Sequence, residues 1–160
     1  MMNRALQILA ITAAATVMAA LVLACDPIGP GAIGEATLGD EVSTDGFVSL
    51  EVRIFPTKGK AWTIKDGVPA DRSLHVHRYP LSSVRFPFTY EVSSGVGVSD
   101  DQEWRALLFL SKTPVVDGLP QPVSGDVYGT GTFELLACTG FSGFCNVTSG
   151  VDVRLDAVVP

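Results

Sequence analysis

Seven segments of the chain after residue 45 have the residue pattern of β-strands, and in most of them apolar and polar residues alternate with a two-residue period. In Phe47–Phe55, apolar residues alternate with Ser49, Glu51 and Arg53, which predicts a half-buried strand. The other six segments are 62–64, 73–79, 86–92, 104–110, 127–137 and 151–159. No stretch after residue 25 keeps the 3.6-residue period of an amphipathic helix, so the pattern predicts an all-β fold.

Some strand positions can be predicted more closely. Trp104–Leu110 is apolar on both faces, which is typical of a central strand. Pro87 cannot donate a ladder hydrogen bond, so Phe86–Val92 is expected to be an edge strand or to mark the beginning of one. Gly129 and Gly131 lie within another segment and predict a β-bulge there.

The spacing of the segments predicts the architecture. Short strands that recur every ~8–15 residues indicate a sandwich or a barrel. A chain of 160 residues favours one domain. We therefore expect a single antiparallel β-sandwich of about seven strands after an N-terminal signal peptide, with Trp62 and Trp104 as core residues.

The N-terminus predicts an export signal. Arg4 precedes a nearly continuous apolar run, Ala5–Leu23, and the run ends in Val22-Leu23-Ala24-Cys25. This ending resembles the lipobox of bacterial lipoproteins, in which the cysteine thiol receives a diacylglycerol and the chain is cut before the cysteine. Cys25 is therefore predicted to be lipidated and to hold the protein on a membrane. The alternatives are an uncleaved membrane helix and cleavage to a soluble secreted protein.

The domain boundaries follow from this interpretation. Residues 1–24 are the predicted lipoprotein signal peptide. Residues 25–45, which are rich in Gly, Pro, Asp and Thr and show little periodicity, are a predicted lipidated tether or linker, with or without a loose first strand. Residues 46–160 are the predicted sandwich domain.

The cysteine count agrees with export. Lipidation of Cys25 leaves an even pair, Cys138 and Cys145, which enclose a short loop that contains glycine. In an oxidising envelope this pair is predicted to form a disulfide. The alternative is a redox or metal-binding pair, although redox pairs usually have the spacing C-x-x-C.

Charge excludes one class of partner. Arg4 is the one charged residue among the first 24, so the remaining chain has 10 of the 11 basic residues and all 17 acidic ones. This acidic balance makes nucleic acid an unsuitable partner, because phosphate binding needs a basic surface. The predicted location is the cell envelope, with the domain facing the periplasm or the exterior.

Residues 73–160 show a resemblance to a known kind of β-sandwich. Five segments carry it: Leu74-His-Val76, Val84-Arg-Phe86-Pro-Phe88, Arg105-Ala106, the turn 120–129 that reads PQPVSGDVYG, and the last strand 150–159. Together they resemble the C-terminal periplasmic domain of the haem-lyase subunit of cytochrome c biogenesis. The resemblance implies a β-sandwich and, as its function, the holding of another envelope protein. The segment Phe86-Pro-Phe88-Thr-Tyr90 is also similar to small lipoproteins of the pilotin kind.

Two histidines are the best inorganic candidates. His75 and His77 are spaced i, i+2 on a predicted strand and so project from one face. A stable metal site needs three or four ligands, and no third ligand is evident from the sequence. We therefore expect His75 and His77 to lie on a strand surface that does not bind a metal ion with high affinity, and no cofactor is predicted.

The sequence favours a binding protein over an enzyme. It contains no G-x-S-x-G elbow, and a serine–histidine–aspartate set drawn from so many serines carries no information. We therefore expect a non-enzymatic, lipid-anchored protein that binds or helps to assemble another envelope protein. The weak candidate surface is the strand with Phe86, Phe88 and Tyr90, with the Tyr90 hydroxyl at its rim. The alternative is a lipoprotein that binds a metal or small ligand through His75 and His77.

Overall fold

A computed structural model describes residues 31–57, 61–67, 75–93, 102–113, 121–135 and 147–160. These residues form strands and two short 3₁₀ helices, Ile64–Asp66 and Leu81–Ser83. The strands are β1 (Gly31–Leu38), β2 (Ser49–Pro56), β3 (His75–Pro80), β4 (Phe88–Ser93), β5 (Gln102–Ser111), β6 (Val127–Leu135), β7 (Val147–Ser149), β8 (Val153–Leu155) and β9 (Ala157–Val158). The prediction of an all-β fold is confirmed.

The strands form two sheets. The five-stranded sheet has the order β3-β2-β5-β6-β9 and is antiparallel throughout, with β5 at its centre. In the four-stranded sheet, β1 pairs with β4 on one side and with β7 and β8 on the other. Both sheets contribute to one hydrophobic core. Ala32 and Tyr90 enter it from the four-stranded sheet, and Leu108 enters it from β5 of the five-stranded sheet.

The four-stranded sheet combines antiparallel pairing, which the sequence predicted, with parallel pairing, which it did not indicate. β1 pairs antiparallel with β4 but parallel with β7 and β8. Parallel pairing requires a connection longer than a hairpin. That condition is met here, because β7 and β8 reach β1 only after the chain has passed through the five-stranded sheet.

The predicted linker 25–45 is too long, because β1 occupies Gly31–Leu38 and belongs to the core. Ala32 and Ala36 are fully buried. A Cβ atom on Gly34 would lie 1.9 Å from the carbonyl oxygen of Val151, so this strand needs small residues for close backbone approach. Small residues carry little hydrophobic signal, which explains why the segment reads as a tether.

Two other predicted strands differ from the structure. Part of the predicted strand 62–64 begins a 3₁₀ helix, where Asp66 accepts a hydrogen bond from the backbone N–H of Thr63 in a capping box. The predicted strand 151–159 is divided into β8, which pairs with β1, and β9, which pairs with β6. The chain therefore changes sheets at Asp156, and a continuous alternation does not reveal such a change.

The predicted bulge in β6 is also wrong. The pairing of β6 with β5 runs in unbroken register through Gly129 and Gly131. A Cβ atom on Gly129 would lie 2.1 Å from the carbonyl oxygen of Arg154. Glycine at position 129 therefore lets the backbone of β8 approach β6 closely, and it does not mark an extra residue in the strand.

Candidate functional site

The strand singled out by sequence, β4, lies at the end of the four-stranded sheet, and Pro87 comes directly before it. Its residues alternate between the core and the surface. Thr89 and Glu91 are exposed, whereas Tyr90 and Val92 are buried. β4 pairs with β1 along one side, so its other side is an edge of the described sheet.

A tyrosine from the other sheet reaches this edge. The Tyr79 hydroxyl on β3 donates a hydrogen bond to the Glu91 carbonyl at 3.1 Å and accepts one from the Glu91 N–H at 3.5 Å. Main-chain groups on alternate residues of a strand point to opposite sides. The Glu91 groups are therefore those that an additional strand would pair with, and Tyr79 occupies them.

Aromatic contacts surround the same hydroxyl. The His77 and Tyr79 rings are stacked with their centroids 4.5 Å apart. The Tyr79 ring also meets Phe88 edge to face at 4.9 Å. One side of the molecule thus brings together His77, the candidate for metal binding, and Phe88, the candidate for partner binding. We call His77, Tyr79, Phe88 and the edge of β4 the β3–β4 side.

Tyr90 does not lie at the rim, contrary to the expectation from sequence. It is fully buried, and its hydroxyl donates a hydrogen bond to the Val151 carbonyl. Burial raises the pKa of Tyr90 well above its usual value, and nearby Asp152 adds to this effect. Tyr90 therefore supports the strand from inside, while Phe86 and Phe88 are half-buried beside it.

The candidate metal ligands, His75 and His77, are joined by no third ligand in the part of the chain that the structure describes. His77 is exposed, and the side chain of His75 lies outside the described positions. No group of three histidine, cysteine or carboxylate side chains comes together among the described residues. Cys25, Cys138 and Cys145 all lie outside the described residues, so their predicted lipidation and disulfide remain predictions.

Strand β2 is buried on both faces rather than half-buried. Glu51 and Arg53 are completely inaccessible, on the face of the five-stranded sheet that points away from the main core. We call this the outer face. Glu51 accepts hydrogen bonds from Arg78 Nε at 2.5 Å and from Ser49 Oγ at 3.1 Å.

The burial of these charges has an electrostatic consequence. Burial lowers the pKa of Arg53 to about 10, although Glu51, 3.8 Å from its guanidinium, favours the charged form. The guanidinium also lies 5.5 Å from the centre of the Phe109 ring. An alternating pattern cannot reveal such a cluster, because charged residues in a strand normally indicate a solvent-exposed face.

The outer face also carries a groove that the sequence did not indicate. Trp62 was expected in the core, yet it is half-buried and lines this groove together with Arg105 and Tyr128. Trp104, by contrast, is a core residue as expected, at 2% exposure.

Comparison with protein-family models, with curated proteins and with solved structures found no match. No helix in the described parts of the chain has the length and apolar content needed to cross a membrane.

Proposed function

We propose that this protein is a lipid-anchored β-sandwich of the bacterial envelope that binds an extended segment of another envelope protein along the β3–β4 side, without catalysing a reaction. Lipidation at Cys25 and a disulfide between Cys138 and Cys145 are part of the proposal. The resemblance to the haem-lyase subunit domain and to pilotin-like lipoproteins supports the same kind of role.

The position of β4 at the end of its sheet is the observation that carries the proposal. An edge strand can pair with an added strand, whose main chain supplies affinity while neighbouring side chains supply selectivity. Here the neighbours are the half-buried Phe88 and the exposed Thr89. The acidic balance of the chain favours a basic partner and an association that salt weakens.

Tyr79 would act as a removable cover for this edge. Its hydroxyl satisfies the Glu91 main chain in the absence of a partner, which protects the edge from unspecific pairing. A bound strand would replace these two hydrogen bonds with its own. Loss of the hydroxyl should therefore favour partner binding, because less has to be displaced.

The test is site-specific photo-crosslinking in intact envelopes. A photoreactive amino acid at Thr89 is expected to give one defined crosslinked protein, whereas the same group at the exposed Arg154 on β8 serves as the matched control and should not. Tyr79→Phe should increase the yield from position 89, since it keeps the ring and removes the hydroxyl. Identical products from positions 89 and 154, or no product from position 89, would contradict the proposal.

A further inference from the structure

An open groove of about 630 Å³ lies on the outer face of the five-stranded sheet. The segment 61–67 forms one wall and the end of the chain after β9 forms the other. Its lining includes Trp62, Lys65, Arg105, Tyr128, Thr130 and Val158. The groove is on a different face from the β3–β4 side, so its use does not depend on the function proposed above.

Trp62 is held in place before any ligand arrives. Its indole N–H donates a hydrogen bond to the Gly67 carbonyl at 2.9 Å. Its ring meets the buried Phe55 edge to face at 5.2 Å. Fixing a side chain in advance reduces the entropy that binding must remove, so this ring is suited to form a wall of a binding site.

Arg105 is fixed beside Trp62 and retains unused hydrogen-bonding capacity. Its guanidinium lies 5.7 Å from the centre of the Trp62 ring. Arg105 Nε is buried and has no hydrogen-bond partner among the described residues. Because Nε is inaccessible, a ligand in the groove would accept hydrogen bonds from the other guanidinium N–H groups of this half-buried side chain.

The charged side chains that line the groove are positive. Lys65 is an exposed cation on the same wall as Trp62, and none of the described lining side chains is acidic. The carboxylate of neighbouring Asp66 accepts hydrogen bonds from the N–H and hydroxyl of Thr63. A cationic groove on a chain with a net charge of −6 selects an anion.

We infer that this groove binds an acidic saccharide, with a sugar carboxylate on Arg105 and a sugar ring against Trp62. The planar guanidinium is matched to a carboxylate, with which it forms paired hydrogen bonds. The aromatic rings of Trp62 and Tyr128 supply apolar contact, and the Thr130 hydroxyl can bond a sugar hydroxyl.

The shape of the groove argues against two other ligand classes. Apolar small molecules are held in enclosed pockets that bury most of their surface, whereas this groove is open. A nucleic acid strand requires several phosphate contacts, and the described lining offers only two cations, Lys65 and Arg105. A short, hydrated chain with occasional carboxylates fits both the shape and the charge.

The test uses the full-length protein in detergent and calorimetry with an oligogalacturonate trimer. The methyl ester of the same trimer keeps the rings and removes the charge. We expect the trimer to bind and its ester to bind at least about tenfold more weakly. Arg105→Gln should weaken trimer binding by a similar factor, and Lys65→Gln, at an exposed position, by about threefold. Arg85→Gln changes an exposed arginine outside the groove and should leave binding unchanged.

Three outcomes would overturn the inference. The first is absence of trimer binding at millimolar concentration, and the second is equal binding of trimer and ester. The third is equally tight binding of inorganic phosphate, which would indicate a plain anion site without sugar recognition. If Arg105→Gln fails to fold, Lys65→Gln still decides the matter, because unchanged affinity in that variant contradicts a cationic site.

Discussion

At the scale of single residues, two tyrosine hydroxyls bond to main chain but differ in their access to water. Tyr90 is fully buried across from Gly34, and a Cβ atom on Gly34 would come within 3.0 Å of the Tyr90 hydroxyl. The absence of that Cβ lets the ring cross the strand and reach Val151. The Tyr79 hydroxyl makes its bonds at an exposed edge, where water can replace them.

Tyr90→Phe should therefore destabilise the protein by about 1–2 kcal/mol, because the Val151 carbonyl loses a buried partner. Tyr79→Phe is the matched control and should cost less. Urea denaturation monitored by tryptophan fluorescence measures both. Equal losses in the two variants would show that burial of the Tyr90 hydrogen bond adds nothing.

The same variant gives a pH signature. Burial raises the pKa of Tyr90 above the value of about 10 expected in the unfolded chain, so the folded state retains a proton that the unfolded state releases. The stability due to this phenol is complete below pH ~10 and declines as the pH rises further. The difference between wild type and Tyr90→Phe should stay constant up to about pH 10 and shrink as the pH rises to about 11, and an unchanged difference at about pH 11 would contradict the assignment.

At the scale of elements, Gly129 in β6 lies against the backbone of β8 in the other sheet. Gly129→Ala would place a methyl group 2.1 Å from the Arg154 carbonyl oxygen, and backbone cannot move aside cheaply. We expect a loss of roughly 3 kcal/mol or more. Gly131→Ala is the control: its methyl would meet a side-chain atom of Val153 at 3.2 Å, rather than backbone at 2.1 Å, and should cost clearly less, about 1 kcal/mol. Thermal unfolding of both variants measures the contrast, and similar midpoints would contradict it.

The elements also show how far the sequence could be read. Strands with large apolar residues, such as β4 and β5, were predicted because alternation records burial directly. β1 was left open only as a loose strand in the linker, and its place in the core was not predicted, because its burial depends on Ala32, Gly34 and Ala36, which are small for reasons of backbone approach. The local pattern of residues does not show which neighbouring backbone requires small side chains at these positions.

The candidate sites follow the same rule. Pro87 predicted an edge strand or the beginning of a strand, because a missing N–H is a property of one residue, and β4 both begins after Pro87 and lies at the end of its sheet. The groove could not be predicted from the sequence, because Trp62 and Arg105 are 43 positions apart and nothing in the sequence indicates that they meet. The buried Glu51–Arg53 pair was likewise misread as a solvated face, since only the fold shows what covers it.

At the scale of the whole molecule, the early start of β1 limits the distance between the domain and its proposed anchor. Five residues lie between Cys25 and Gly31, and the six steps of ~3.5 Å from one to the other span at most ~21 Å. The beginning of β1 must then stay near the membrane. Its cross-strand neighbour Ser93 lies at that same end of the sheet, whereas Asp40 follows the far end of β1.

This geometry predicts an orientation on the bilayer if Cys25 carries the lipid. A fluorescent amino acid at the exposed Ser93 should be quenched by spin labels on lipid headgroups more strongly than one at the exposed Asp40, because β1 adds ~25 Å of separation between the two ends. Cys25→Ser should move the protein from the membrane fraction to the soluble fraction and abolish quenching at both positions, because the acyl chains supply the anchoring energy. Equal quenching at Ser93 and Asp40 in the lipidated protein would contradict the short tether. Unchanged membrane partition of Cys25→Ser would contradict the lipid anchor itself and favour an uncleaved apolar segment.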